Sequence, residues 1–186
     1  DEFDVSSGPG TLSASGAVIQ LTPFLTEATG GTVDLNASGT ISIAGDMRAG
    51  TLIASGVDVT VTTDETVVGT ADIDAFGGVL FDPNGGDPGL AAFTDLGVRA
   101  GSDLQIPPGV TVSVSDSTVL ETTDPAGTGV LIGRQIDTAN DLTIDTGGAP
   151  LTTSAPLLTG GTMLVRSGET ALAPISFGCG ELASTG

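Results

Sequence analysis

A five-residue phrase, Leu-x-Ala-Ser-Gly, occurs three times in the first third of the chain. The copies begin at Leu12, Leu35 and Leu52. The spacing from the first copy to the second is similar to the spacing from the second to the third, but the two are not equal. Self-similarity at a period of about 20 residues is typical of a coiled β-solenoid, because each turn must place an inward apolar side chain and a corner at equivalent positions. We therefore expect the three leucines to stack on one another in successive turns.

Apolar and polar residues alternate in short runs around these phrases, most clearly over residues 31–68. A period of two places every second side chain on the same face of a strand. The small residues between the runs suit tight corners. The buried core is predicted to contain Val33, Leu35, Ile41, Ile43, Val57, Val59, Val61, Val112, Val114, Ile132, Leu142 and Ile144.

Short strand-like runs continue to the end of the chain, and no segment has a sustained 3.6-residue period. This pattern predicts an all-β fold with almost no helix and at least about 40% strand, well above the usual share. A right-handed parallel β-solenoid is favoured, with about 20 residues in each of roughly nine turns spaced by one strand separation. The alternative is an antiparallel β-sandwich of jelly-roll or pilin-like type.

The chain is expected to form one domain over residues 11–186, preceded by an extended arm. The arm covers residues 1–10, which are acidic and rich in glycine, serine and proline. Residues 71–96 contain two prolines and many glycines, so we expect a protruding loop there, with a short helical turn at 90–93.

The charge balance is strongly acidic, with 23 acidic and 4 basic residues, a net charge of −19 and a pI near 4.1. Nucleic acid is excluded as a partner, because almost no side chain is present to neutralise phosphates. Self-repulsion of this kind keeps β-rich surfaces soluble, which suits an extracellular or cell-surface location. No apolar run is long enough to cross a membrane as a helix, so membrane insertion is not expected.

Several residue types that carry common chemistry are absent. The chain has no His, Lys, Trp or Tyr, which excludes the usual histidine triads, histidine zinc sites, Schiff bases and aromatic platforms for sugars or bases. Asp72 and Asp74 share one face of a predicted strand, but exposed carboxylates of this kind are typical of solvated surface. We expect a protein that is not an enzyme.

A calcium site is the one metal site that the sequence suggests. Asp82, Asn84 and Asp87 bring two carboxylates and an amide oxygen into a short glycine-containing segment, and Ca²⁺ selects oxygen ligands of this kind. An ordinary polar β-turn is the alternative interpretation. A second, weaker group consists of Asp137, Asn140, Asp141 and Asp145.

Two further features of the sequence are a short modification motif and a lone cysteine. Asn36-Ala37-Ser38 matches the acceptor motif for N-linked glycosylation. Cys179 is the only cysteine, so no disulfide can form within the chain. We expect it to be a small buried residue, with a bridge to another molecule as the alternative.

A second phrase, an apolar residue followed by Arg, Ala or Ser, and Gly, begins at Met47, Val98 and Val165. Together with Leu-x-Ala-Ser-Gly and the Gly-Thr pairs that begin several strands, it resembles the repeats of filamentous-haemagglutinin-like β-helical adhesins. The resemblance covers about residues 12–68 and 98–114. It implies a right-handed parallel β-helix and a surface or secreted role.

The function expected from these features is that of an extracellular structural protein, a subunit of a surface fibre or layer. A β-rich chain with open edges can pair with copies of itself through its backbone alone, which needs no special side chains. The alternative is an adhesin-type binding module that recognises a surface ligand through residues 71–96.

Overall fold

The structure is a computed structural model, and it describes residues 5–6, 9–21, 25–62, 65–82, 89–168, 170–172 and 181–185. More than half of the chain lies in strands, and the described residues include no helix. Every strand pair among the described residues is parallel. The prediction of an all-β parallel solenoid is confirmed, and the antiparallel sandwich is wrong.

The strands, in chain order, are β1 (Val5–Ser6), β2 (Thr11–Gly16), β3 (Ile19–Leu21), β4 (Leu25–Ala37), β5 (Ile41–Ala44), β6 (Asp46–Gly56), β7 (Val59–Thr62), β8 (Glu65–Ala75), β9 (Gly78–Asp82), β10 (Gly89–Ala100), β11 (Asp103–Ile106), β12 (Val110–Val114), β13 (Thr118–Thr122), β14 (Gly129–Ile132), β15 (Ile136–Thr138), β16 (Leu142–Asp145), β17 (Leu151–Thr153), β18 (Leu157–Thr159), β19 (Thr162–Arg166), β20 (Thr170–Leu172) and β21 (Glu181–Thr185).

The solenoid has three faces, and each turn contributes one strand segment to each face. Face A contains β2, β13, β16, β19, β21 and the C-terminal halves of β4, β6, β8 and β10. Face B contains the eight strands β3, β5, β7, β9, β11, β14, β17 and β20. Face C contains β1, β12, β15, β18 and the N-terminal halves of the four long strands. The long strands therefore run through two faces, as β10 does by pairing with both β12 and β13.

The turns vary in length, and the predicted number of turns is wrong. Val33 is paired with Leu52 one turn later, and Ala71 is paired with Leu96 one turn later. The second of these turns contains more residues than the first, so the period is not constant. The solenoid consequently has about seven turns and not nine. At about 4.8 Å for each step between strands, seven steps extend about 34 Å along the axis.

The inward side chains form columns that run along the axis. On face A, Leu12 pairs with Val33, and Val33 pairs with Leu52. Leu35 lies in the neighbouring column, between Ala14 and Ala54. Leu12 and Leu52 lie in the same column, as expected. The prediction that Leu35 stacks with them is wrong, because Leu35 lies in the column two residues further along the strand. A shift of two positions keeps a side chain on the same face, so Leu35 still points inward and fills the space between two alanines.

Eleven of the twelve predicted core residues are buried, and Val57 is the exception. Val57 is 39% exposed because β6 ends at Gly56 and β7 begins at Val59, which leaves Val57 in the corner between them. The alternation that groups Val57 with Val59 does not hold across a corner, because the chain changes direction there.

Buried threonines line part of the interior, and several of them form side-chain hydrogen bonds. The hydroxyls of Thr118 and Thr138 lie 2.8 Å apart, and the Thr122 hydroxyl donates to the Thr146 carbonyl oxygen at 3.0 Å. These contacts matter because a buried hydroxyl without a partner costs about 1–3 kcal/mol. Hydrogen bonds of this kind offset the cost of burying these hydroxyls.

The segment 71–96 is not the protruding loop that its composition predicts. β8 includes residues 71–75, β9 covers Gly78–Asp82, and β10 begins at Gly89, so the predicted helical turn at 90–93 is also strand. Leu90 to Phe93 alternate outward and inward between β8 and β12, and this pairing overrides the local turn signals. Residues 83–88 lie outside the described part of the chain.

The predicted arm is described only in part. Val5 and Ser6 form β1, which pairs with Thr26 and Glu27 of β4 in the same chain. Residues 1–4 and 7–8 lie outside the described residues, as does Cys179. The single-domain organisation over residues 11–186 stays a prediction.

Glycines at the corner between faces C and A allow neighbouring turns to approach closely. Pairing between β6 and β8 is interrupted at Gly50 and Gly69. A Cβ added at Gly69 would lie 2.3 Å from the Gly50 carbonyl oxygen, which is closer than any real contact. This corner therefore requires glycine for steric reasons.

We predict that Gly69→Ala destabilises the fold by about 1–3 kcal/mol, because the backbone of the neighbouring turn must move. Gly97→Ala is the matched control, since its added Cβ would meet nothing closer than the Ala71 carbonyl oxygen at 3.6 Å. The control should change stability by no more than about 0.5 kcal/mol. Denaturant unfolding measures both values, and equal effects of the two substitutions would contradict the corner assignment.

Candidate functional site

A row of charged side chains runs along the outer surface of face A. Register places five charged residues at equivalent positions of consecutive turns: Asp74, Arg99, Glu121, Asp145 and Arg166. We call these five residues the charge row. Two of the three copies of the arginine phrase supply its cations, because Val98 and Val165 point inward while the arginines that follow them point outward.

Ion pairs connect members of the charge row. Arg99 Nε lies 3.6 Å from Glu121 Oε2, and Arg166 Nη1 lies 3.4 Å from Asp145 Oδ2. The side chains of the first pair are 60% and 38% exposed. Water screens such pairs, so each contributes at most about 1 kcal/mol. The cations reduce the repulsion between acidic groups that lie on adjacent turns.

A shallow open groove lies beside the charge row. It is lined by Asp72, Gly97 and Val119 together with Asp74, Arg99 and Glu121. Asp72 and Asp74 are both exposed and share the outer face of β8, as the sequence predicts. Arg99 pairs in register with Asp74, so the two carboxylates are part of a charged surface with a cation beside it.

Only one residue of the predicted calcium site lies in the described part of the chain. Asp82 is the last residue of β9, is partly exposed, and pairs in register with Thr62 of the preceding turn. Asn84 and Asp87 lie outside the described residues. Calcium binding by Asp82, Asn84 and Asp87 stays a prediction.

The second predicted calcium group is not brought together. Asp137 lies on face C and Asp145 on face A. The Asp141 carboxylate accepts the Thr162 N–H at 2.9 Å, and the Asn140 amide donates to Asp116 at 2.6 Å. Across the described residues, no three His, Cys, Asp or Glu side chains are placed to hold one metal ion.

Apolar side chains are exposed at the corner between faces A and B. Phe76 is 85% exposed and Val57, on the preceding turn, is 39% exposed. The Phe76 N–H donates to the Gly56 carbonyl oxygen at 3.0 Å, which fixes the two turns at this corner. Sequence reasoning misses this feature because Phe76 lies in the segment whose composition predicts a loop.

Comparisons with known proteins give no relative. No protein-family model, no curated protein and no solved structure matches the chain. Within the described residues, no helix has the length and apolar character needed to span a membrane. The chain is therefore classified by its fold alone, which is a parallel β-solenoid.

We predict that Arg99→Gln lowers stability by less than about 1 kcal/mol at low salt, because it removes the cation between Asp74 and Glu121. Arg134→Gln is the control, since it removes the same formal charge from a residue for which no ion pair is found within the described chain. The difference between the two variants should vanish near 1 M salt, where charges are screened within about 3 Å. Thermal unfolding at both salt concentrations measures it, and a salt-independent difference would contradict the ion-pair origin.

If Asp82, Asn84 and Asp87 bind calcium, the ion should stabilise the fold by about 2.7 kcal/mol at a hundredfold excess over its dissociation constant. Scanning calorimetry with calcium or a chelator measures this shift. The double variant Asp82→Ala, Asp87→Ala should abolish it, and Asp137→Ala should leave it intact. A shift that survives the double variant would place the ion elsewhere.

Proposed function

We propose that the protein is an extracellular structural subunit that assembles end to end by pairing of its edge strands. The observation that supports this most is the open backbone edge at both ends of the described solenoid. At one end, β2 and β3 each pair on one side only among the described strands. At the other end, β18, β20 and β21 do the same. Unpaired edges of this kind are templates for pairing with another chain.

The hydrogen-bonding groups of β2 that face outward along the axis can be identified. The carbonyl oxygens of Gly10 and Gly16 accept N–H groups from Thr32 and Ser38 of the next turn. In a parallel ladder, alternate residues of a strand bond to opposite neighbours. Even-numbered residues of β2 therefore bond within the chain. Ser13 and Ser15 present their N–H and C=O groups to a second copy.

The strands β2 and β3 at this end carry no charge that would oppose contact. Residues 9–21 contain no charged side chain, although the whole chain carries a net charge of −19. A copy that approaches this end meets less repulsion than a copy that approaches the side of the solenoid. Added salt shortens the screening length to about 8 Å at physiological ionic strength, so it should promote assembly further.

The inward columns also continue to this end. Leu12 and Ala14 are only partly buried, whereas Val33 and Leu35 in the next turn are fully buried. A second copy that adds a turn here would cover these two partly buried members of the columns. Burial of apolar surface of this kind contributes about 25 cal/mol for each Å². Val5 and Ser6 of the predicted arm pair with β4 of their own chain, so the proposal places the interface on the edge strands β2 and β3.

We predict that Ser13→Pro weakens end-to-end assembly at least about tenfold, which corresponds to about 1.4 kcal/mol. Proline has no N–H, so it removes a donor that faces the open edge. The Ser13 side chain points outward, so the proline ring replaces it on the surface and not in the core. Ser13→Ala is the matched control, because it keeps the N–H and should assemble as the unchanged chain does. Sedimentation velocity over a range of salt concentrations, with electron microscopy of the same samples, measures assembly.

The fold of both variants is checked by the melting temperature of the monomer at low salt. Assembly of Ser13→Pro to the same extent as Ser13→Ala would exclude this edge as the interface. A monomer at every salt concentration for the unchanged chain would exclude end-to-end assembly altogether.

One observation favours the alternative, an adhesin-type module that binds a surface ligand through residues 71–96. Phe76 lies in this segment and is 85% exposed, which is unusual for a large apolar side chain. A ligand with an apolar group could contact it at the corner between faces A and B. Isolated monomers that bind a surface and lose binding with Phe76→Ser would support this function over assembly.

A further inference from the structure

Asn36 is an exposed asparagine whose side-chain amide forms no hydrogen bond with the described part of the chain. The chain has three asparagines, Asn36, Asn84 and Asn140. The Asn140 amide donates to Asp116 at 2.6 Å, and Asn84 lies outside the described residues. Within the described residues, no side-chain hydrogen bond holds the Asn36 amide. Asn36 is also the only asparagine followed two positions later by Ser or Thr.

The acceptor motif lies where the strand ends. Asn36 points outward from face A near the end of β4, Ala37 is buried, and Ser38 is exposed in the bend that follows. The two polar residues of the motif are therefore both on the surface. The Ser38 N–H donates to the Gly16 carbonyl oxygen at 2.9 Å, which fixes the bend.

The surface around Asn36 has room for a large substituent. Its register neighbours on the adjacent turns are Ser15 and Ser55, which both have short side chains. A shallow depression beside it is lined by Ser13, Ala14, Ser15 and Asp34. A group attached to Asn36 would extend outward from face A into solvent.

We propose that Asn36 is the acceptor of an N-linked glycan. In this reaction the Asn36 amide nitrogen forms a bond to the anomeric carbon of a sugar carried on a polyprenyl phosphate or pyrophosphate. The bond between that carbon and the lipid phosphate oxygen breaks, and the phosphate leaves with the electron pair. The amide loses one proton to the surroundings, so no oxidant or reductant is needed. A bulky, hydrated substituent of this kind is compatible only with a surface position.

The modification requires entry into a compartment that contains the glycan donor, which the proposed extracellular location would supply. The experiment provides this entry by fusing the full chain to a cleavable signal peptide in a glycosylating host. An Asn-Ala-Ser tag appended to the C-terminus serves as an internal standard, and only preparations in which the tag is glycosylated are compared. A negative result at Asn36 is then distinguishable from a failure of export.

Intact-protein mass spectrometry, before and after digestion with a peptide N-glycosidase, measures occupancy. We expect two glycans on the unchanged tagged chain and one on Asn36→Gln and Ser38→Ala. Ser38→Thr should keep both glycans, because threonine also supplies the hydroxyl of the motif. Asn140→Gln is the control for an exposed asparagine outside a motif and should also keep both. A single glycan, on the tag, in the unchanged chain would overturn the proposal.

Discussion

The structure depends on one constraint, which is that every turn must place its backbone hydrogen-bonding groups opposite those of the next turn. Parallel pairing connects successive turns on all three faces. Because side chains alternate with a period of two, a fixed register also fixes which residues point inward. The columns on face A, such as Leu12, Val33 and Leu52, follow from this pairing. Among the described strands, the same backbone ladder leaves open edges at both ends, and the proposed assembly uses them.

The same register organises the outer surface. Arg99 and Arg166 are far apart in sequence, yet Glu121 and Asp145 are the only residues between them in the charge row. Each arginine forms an ion pair with a carboxylate of the adjacent turn. An acidic chain can carry carboxylates on consecutive turns about 4.8 Å apart when cations are interspersed among them. The surface is thus arranged by the coil, and no local motif specifies it.

Sequence reasoning identifies strand residues better than it identifies turns. Ile41 and Ile43 are predicted correctly because alternation is a local signal, and both are buried. The prediction for Val57 is wrong because a corner interrupts the alternation. The glycines and prolines of segment 71–96 are local turn signals, whereas β8, β9 and β10 form through pairing with distant turns. At the candidate sites, the shared face of Asp72 and Asp74 is predicted correctly, but the charge row is not, because its members come from five turns.

The sequence by itself determined an all-β chain with small inward residues, a repeat of about 20 residues and an acidic surface, because composition and period are properties of neighbouring residues. Only the tertiary structure decided the register. Leu35 belongs to the same phrase as Leu12 and Leu52, yet it lies in the next column, between Ala14 and Ala54. A shift of two positions leaves every side chain on its own face, so the hydrophobic pattern cannot distinguish the two registers. The lengths of the corners and the fit of large against small side chains across turns decide between them.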